Sequence, residues 1–256
     1  MVKISAVIIT HNEERNIARC INSVKNVADE VIVVDSFSTD DTVNIATNLR
    51  AKVISREFNG YGEQKLFAER QANCDYILSL DADEAISPQL EKNILKIKQT
   101  PSFDAYKINI LTNFCGKWIK HCGWYPQPKI RFWNKNKGNT NANTVHEGWT
   151  PVDDTIKIGK LKGDILHYSY PQISDYMRKL EQYSELHARA AVQQGKKMTL
   201  FKIWLGPRWR FFLDFILRGG FLDGYYGYIV CECSSFYTYT KYIKIWVYNN
   251  EKNGKS

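Results

Sequence analysis

Through the first hundred residues, short unbroken apolar runs alternate with longer stretches in which apolar residues recur every three or four positions. Ala6-Val7-Ile8-Ile9 is such a run, the pattern of a strand buried on both faces. Ile17, Cys20, Ile21 and Val24 then follow helical i, i+3, i+4, i+7 spacing. Val31 to Val34 predicts a second buried strand, and Asp40 or Asp41 can cap a helix carrying Val43, Ala46 and Leu49. Lys52 to Ile54 predicts a third strand, Gln64 to Asn73 a helix and Tyr76 to Leu80 a fourth strand. Pro88 opens a helix with Leu90, Ile94 and Ile97 on one face. This β-α-β-α series predicts an α/β domain with a parallel sheet.

The pattern changes near residue 100. Tyr106, Ile108 and Ile110 alternate as in a half-exposed strand, and Lys129 to Trp133, Ile156 to Leu161 and Ile165 to Tyr168 are further strand candidates. A helix follows with Ile173, Tyr176, Leu180, Tyr183, His187 and Ala190 along one stripe. After Gly195 the chain becomes basic and aromatic.

The net charge of +8 sharpens that division, because the last 61 residues hold ten Lys or Arg against four Asp or Glu. The first 195 residues are close to neutral, which argues against a nucleic-acid binder. Such a basic, aromatic tail suits an anionic bilayer interface, or a helical pair packed on the domain or on a second subunit. No apolar run reaches the length of a membrane span; the stretch from Gly219 to Thr240 is broken by Asp223 and Glu232. The six cysteines form no Cys-x-x-Cys pair, which disfavours a zinc ribbon. With a strand directly at the N-terminus they suggest free thiols in a reducing, cytoplasmic setting.

Ligands of open α/β sheets bind at the carboxyl ends of the strands. The polar residues there are Thr10 to Glu14, Asp35-Ser36 and Asp81-Ala82-Asp83. In extended backbone Asp81 and Asp83 point the same way and can grip one hard cation that also holds substrate phosphates; a solvated acidic turn is the other reading. Asp35 can accept hydrogen bonds from a base or ribose, or cap the next helix. His167 can ligate a metal or contact phosphate, or pack as a hydrogen-bonded core histidine. Arg131 can face a diphosphate or an acidic acceptor, or lie at a strand edge.

Three blocks, Ile8-Ile9-Thr10-His11-Asn12-Glu13-Glu14-Arg15-Asn16-Ile17, Val33-Val34-Asp35-Ser36-Phe37-Ser38-Thr39-Asp40-Asp41-Thr42 and Leu80-Asp81-Ala82-Asp83-Glu84, resemble the family 2 glycosyltransferases of the GT-A fold. Val145-His146-Glu147, the segment Leu161 to Tyr170, and Arg218 to Gly224 resemble the branch of lipopolysaccharide-core β-1,4-glucosyltransferases. The resemblance covers nearly the whole chain. It implies a Rossmann-like, mostly parallel sheet flanked by helices over residues 1–195. Residues 1–100 would bind a nucleotide sugar, 101–195 would meet the acceptor, and 196–256 would form a helical extension.

The same resemblance implies roles. Thr10, Asn12 and Glu14 surround the nucleotide, Asp35 meets the base, and Gln64 and Lys65 lie near the donor, Lys65 facing phosphate or merely solvated. Asp83 is the direct ligand of Mg²⁺ or Mn²⁺ and Asp81 supports it. Glu147 is the general base of an inverting transfer, with His146 orienting it or packing; a surface strand end is the other reading of Glu147. The implied partners are UDP-glucose and a lipopolysaccharide-core or other lipid-linked glycan, with polyprenyl-phosphate or protein acceptors as alternatives. A sugar nucleotidyltransferase would want a glycine-rich basic loop where this chain has acidic Thr10–Glu14. A non-catalytic glycan or membrane binder would not need Asp81, Asp83 and Glu147 together.

Overall fold

The structure is a computed structural model and describes residues 1–142 and 148–252. The chain packs into two compact units, one formed by Met1–Leu111 with Gln127–Tyr168, the other by Thr112–Pro126 with the chain from Ser169 onward.

In the first unit, strands β1 (Ile4–Thr10), β2 (Glu30–Asp35), β3 (Lys52–Ser55) and β4 (Tyr76–Asp81) are parallel, as the apolar runs predict. Helices α1 (Ile17–Val24), α2 (Thr42–Asn48) and α3 (Tyr61–Arg70) connect them. The sheet order is β3-β2-β1-β4, continued by β8 (Pro128–Asn134), β6 (Ala105–Phe114), β11 (Ile158–Tyr170) and β5 (Glu84–Ile86). β8 pairs antiparallel with both β4 and β6, and β11 pairs antiparallel with β5.

Alternate residues of each strand feed opposite faces. Ile4, Ala6 and Ile8 pack with Ile17, Cys20, Ile21 and Val24 of α1 and with Leu90 and Ile94 of α4 (Pro88–Gln99). Val7 and Ile9 face the other way and pack with Ile32, Val34, Ile77, Trp133 and Ala68 of α3. Burial on both faces explains why these strands read as unbroken apolar runs. A small hairpin of β9 (Gly138–Asn141) and β10 (Gly148–Pro151) lies against α3 through Glu69, whose carboxylate accepts from Thr140 N at 2.9 Å.

Three expectations need correction. α3 begins at Tyr61, not Gln64, because Gly60 at φ 120° turns the chain into the helix, and Gln64 N donates to Gly60 O. β6 is buried at nearly every position rather than half exposed, since sheet neighbours and both core layers cover it. The two strands expected at Ile156–Leu161 and Ile165–Tyr168 are one, β11, which bends at Gly163 with φ +99°. Of the two candidate caps of α2, Asp41 occupies the cap position but its side chain accepts from Asn44 Nδ2, and it is Asp40 that accepts from Thr42 N.

The second unit holds α5 (Ile173–Gln193), α6 (Leu200–Phe212) and α7 (Gly224–Lys252), with strand β7 (Lys117–Trp118) paired to the end of β6. α5 therefore groups with the helices of the C-terminal extension, although the sequence division places it before residue 195. Its buried face is Leu180, Ser184, Ala188, Ala191 and Val192; of the expected stripe Leu180 is buried and Tyr176 packs on a core cluster, whereas Ile173 and Tyr183 are about half exposed. The wholly buried Asp214, inside the π-helical turn Leu213–Leu217, is held by Arg210 Nε at 2.6 Å and Arg218 Nη1 at 2.8 Å, and the left-handed Gly219 follows. The cysteines of both units are free thiols. No helix among the described residues is long and apolar enough to cross a membrane.

Two glycines test how the backbone is constrained. A Cβ on Gly163 would lie 2.4 Å from Leu90 N, whereas one on Gly195, at φ +73° after α5, would meet open space. Gly163→Ala should therefore cost about 3 kcal/mol or more in urea unfolding, and Gly195→Ala about 1 kcal/mol. Equal losses would remove the close approach of β11 to α4 as the constraint.

Candidate active site

The parallel register sets Thr10 beside Asp35 and Ile9 beside Asp81, so β1, β2 and β4 end on one edge. Two loops there are stitched together. Asn12, at φ 53°, donates its N–H to Ser38 Oγ at 2.8 Å, and its Oδ1 accepts from Thr39 N at 2.8 Å. Glu14 N donates to Asp40 Oδ2 at 3.1 Å, and Glu14 Oε2 accepts from Asp41 N at 3.3 Å. Asn12 and Glu14 thus shape the loops. The buried Asp35 accepts from Ser38 N at 2.9 Å and from Ser38 Oγ, which leaves further lone pairs on its carboxylate. Thr10 Oγ1 and Gln64 Oε1 are buried at this edge and have no hydrogen-bond partner among the described residues. Such atoms are expected to be satisfied by a ligand or water.

Asp81 and Asp83 do not share one direction. β4 ends at Asp81, and Ala82-Asp83 form the turn into β5, so the extended i, i+2 geometry expected from the sequence does not apply. Asp81 is taken up by cations: Lys65 Nζ lies 2.9 Å from its Oδ1 and Arg131 Nη2 3.1 Å from its Oδ2. Arg131 Nη2 also meets the buried Glu84 Oε1 at 2.9 Å, and Glu84 Oε2 accepts from Asp81 N at 2.9 Å. Burial opposes the ionised Asp81, but the Lys65 and Arg131 charges outweigh it and hold the carboxyl well below its usual range. Burial pushes Glu84 up; Arg131 works against that and the Asp81 charge adds to it. Glu84 carried no assigned role in the sequence, although its place directly after Asp83 was a usable signal.

Asp83 faces His167, whose Nε2 is 3.2 Å from Asp83 Oδ2, and Asp83 O accepts from Tyr168 N at 2.8 Å. The antiparallel register of β11 with β5, which sets His167 opposite Glu84, brings the two together. Burial disfavours the imidazolium, but the hydrogen bond and charge of Asp83, then Glu84 and Asp81, raise the His167 pKa above its ordinary value.

Among the described residues no group of three or more His, Cys, Asp and Glu side chains is arranged to hold a metal. Asp83, Asp81 and His167 therefore do not form one ligand set, because Lys65 and Arg131 engage Asp81. Asp83 beside His167 fits a hard cation that takes the rest of its shell from diphosphate oxygens and water. Lys65 and Arg131 are both buried and meet at Asp81. His146 and Glu147 lie outside the described residues.

Residues 5–154 match the model of glycosyl transferase family 2. An uncharacterized glycosyltransferase of Rickettsia typhi is 40% identical over 96% of this chain and 87% of its own length. A lipopolysaccharide core biosynthesis glycosyltransferase of Rhizobium meliloti, LpsC, is 25% identical over 95% of this chain and 92% of its own. A solved glucosyl-3-phosphoglycerate synthase of Mycobacterium tuberculosis, bound to Mn²⁺, UDP-glucose and glycerol 3-phosphate, is 27% identical. It covers 45% of this chain and 46% of its own, at a TM-score of 0.37, too partial a likeness to carry an argument. The family model spans more than half of the sequence, and the chain belongs to glycosyl transferase family 2.

Proposed function

We propose that this glycosyltransferase moves a hexose, glucose from UDP-glucose, onto a lipopolysaccharide-core or other lipid-linked glycan, with inversion and with a divalent cation. The observation that carries the reading is the division of labour between the two aspartates. Asp81 is neutralised by Lys65 and Arg131, and Asp83 is turned to His167 instead. The lipopolysaccharide acceptor draws support from the likeness to LpsC.

Asp83, with His167 against it, would hold Mg²⁺ or Mn²⁺, which when bound neutralises charge on a leaving diphosphate. Asp35, at the end of β2, accepts hydrogen bonds from the base or ribose, and Thr10 Oγ1 and Gln64 Oε1 gain their missing partners from the nucleotide. Lys65 and Arg131 keep Asp81 and Glu84 ionised or paired without repelling the donor. Glu147 takes the proton from the attacking acceptor hydroxyl, so that displacement proceeds on the face opposite the nucleotide.

The second unit suits an acceptor carried in a membrane, at the inner face of the cytoplasmic membrane. Phe201, Trp204, Trp209, Leu217, Phe221 and Leu222 are each more than half exposed, and Lys202, Arg208, Arg210 and Arg218 lie among them. Arg208 stacks over the Trp204 ring at 4.5 Å. Aromatics with interspersed cations are the composition of an interfacial face.

Four measurements check these assignments. Asp83→Asn should lower cation-dependent UDP-glucose turnover about 100-fold, and Glu147→Gln should lower transfer to acceptor about 100-fold with donor binding unchanged. Retained turnover in either variant removes that residue from the mechanism, and no response of the wild type to any nucleotide sugar overturns the donor assignment. Arg131→Leu leaves Asp81 and Glu84 short of their buried partner and should cost about 3–5 kcal/mol in denaturant unfolding; an unchanged midpoint would mean that the charges are not buried as described. Flotation with anionic liposomes at low salt should carry the protein upward, and salt should release it. Protein that stays at the bottom at low salt rejects the membrane face.

A further inference from the structure

A pocket of about 290 Å³ opens in the first unit beside the Asp81 network, lined by Lys65, Ser79, Lys107, Pro128, Lys129, Ile130, Arg131, Trp133, Thr140, Gly148 and Trp149. Among the described residues no carboxylate lines it. Lys65 and Arg131 reach it from the inner end, where Asp81 and Glu84 answer their charge. Lys107 and Lys129 sit on neighbouring strands, β6 and β8, in the register Lys107↔Ile130 and Ile108↔Lys129. Neither lysine pairs with a carboxylate among the described residues. Carboxylates answer these charges only at longer range, Glu84 and Asp81 for Lys129, which leaves the pocket basic. Desolvation by the surrounding walls, and after it the Arg131 charge, hold the Lys129 pKa below the usual lysine range against the pull of Glu84 and Asp81.

The walls carry a second signal. Trp133 and Trp149 pack with ring centroids 6.3 Å apart, and the indole Nε1 of each is buried without a hydrogen-bond partner among the described residues. A buried N–H without an acceptor costs about 1–3 kcal/mol, so both are donors waiting for an oxygen. Ile130 and the two indoles give the apolar faces against which a sugar ring can lie. A concave site with apolar walls and a few convergent polar groups is the usual form of a small-molecule pocket.

We infer that this pocket binds an anionic group, a phosphate or carboxylate, borne on a sugar of the acceptor, with Lys107 and Lys129 as its charge partners and the indole N–H groups as donors. The inference rests on the glycosyltransferase reading of the Asp83 edge and adds to it the acceptor class: the glycan is negatively charged next to its reacting hydroxyl. The donor diphosphate is a different ligand, assigned to Asp83 and the ends of β1 and β2.

Calorimetric titration of the full chain with inorganic phosphate, glucose 6-phosphate, glucuronate and glucose tests it. Phosphate and glucose 6-phosphate should bind, glucose should not, and saturating UDP with Mg²⁺ should displace neither anion. Glucuronate binding as well as glucose 6-phosphate assigns the pocket to both anions, weaker binding to phosphate alone; either outcome supports it. The double variant Lys107→Gln/Lys129→Gln should bind glucose 6-phosphate at least about tenfold more weakly. Both lysines are exposed residues, so its thermal midpoint should match the wild type. Undiminished binding by that variant, displacement by UDP, or glucose binding as tightly as its phosphate overturns the inference. A chain that turns over no nucleotide sugar yet binds phosphate through Lys107 and Lys129 would lose the transferase reading and keep the pocket.

Discussion

Two carboxylates, Asp81 and Glu84, and two cations, Lys65 and Arg131, meet at the end of a strand buried on both faces. Charges removed from water are tolerated only in mutual contact and with good hydrogen-bond geometry. The contact therefore dictates where four elements can be: α3 supplies Lys65, β8 supplies Arg131, β4 ends in Asp81 and β5 begins with Glu84. The turn Ala82-Asp83 is fixed as a result, and the His167 side of β11 is registered against it. The acceptor-side pocket begins where the same cations emerge.

Much of this was legible in the sequence. The apolar runs Ala6–Ile9, Val31–Val34 and Tyr76–Leu80 give the parallel strands, because residues buried on both faces leave no polar alternation to confuse the reading. The polar residues that follow them mark the functional edge. What could not be read was direction. Asp81 and Asp83 differ by two positions, and the end of β4 between them decides that one turns to Lys65 and Arg131 and the other to His167. Gln64 and Lys65 were placed near the donor, but the pairing of Lys65 with a residue 16 positions later is a tertiary fact.

The long-range contributors were the least visible. Arg131 and His167 come from strands that pair antiparallel, far along the chain, and nothing in their local patterns specifies a partner. In the second unit, α5 shows the same limit. Its large residues suggested a stripe through Ile173, Tyr183 and His187, whereas small residues, Ser184, Ala188 and Ala191, occupy the buried face and let a neighbouring helix approach. Size, not hydrophobicity alone, decided which side turned inward.

The stitching of the first two loops bears on how donor preference can change. Asn12 and Glu14 belong to one loop and Ser38, Thr39 and Asp41 to the other, and each side chain or backbone amide there is completed by its counterpart. A loop transplanted alone from a relative would arrive without its complement and leave several polar groups unmatched. The two segments behave as a single inheritable cassette, 26 or 27 residues apart in sequence and exchangeable only together.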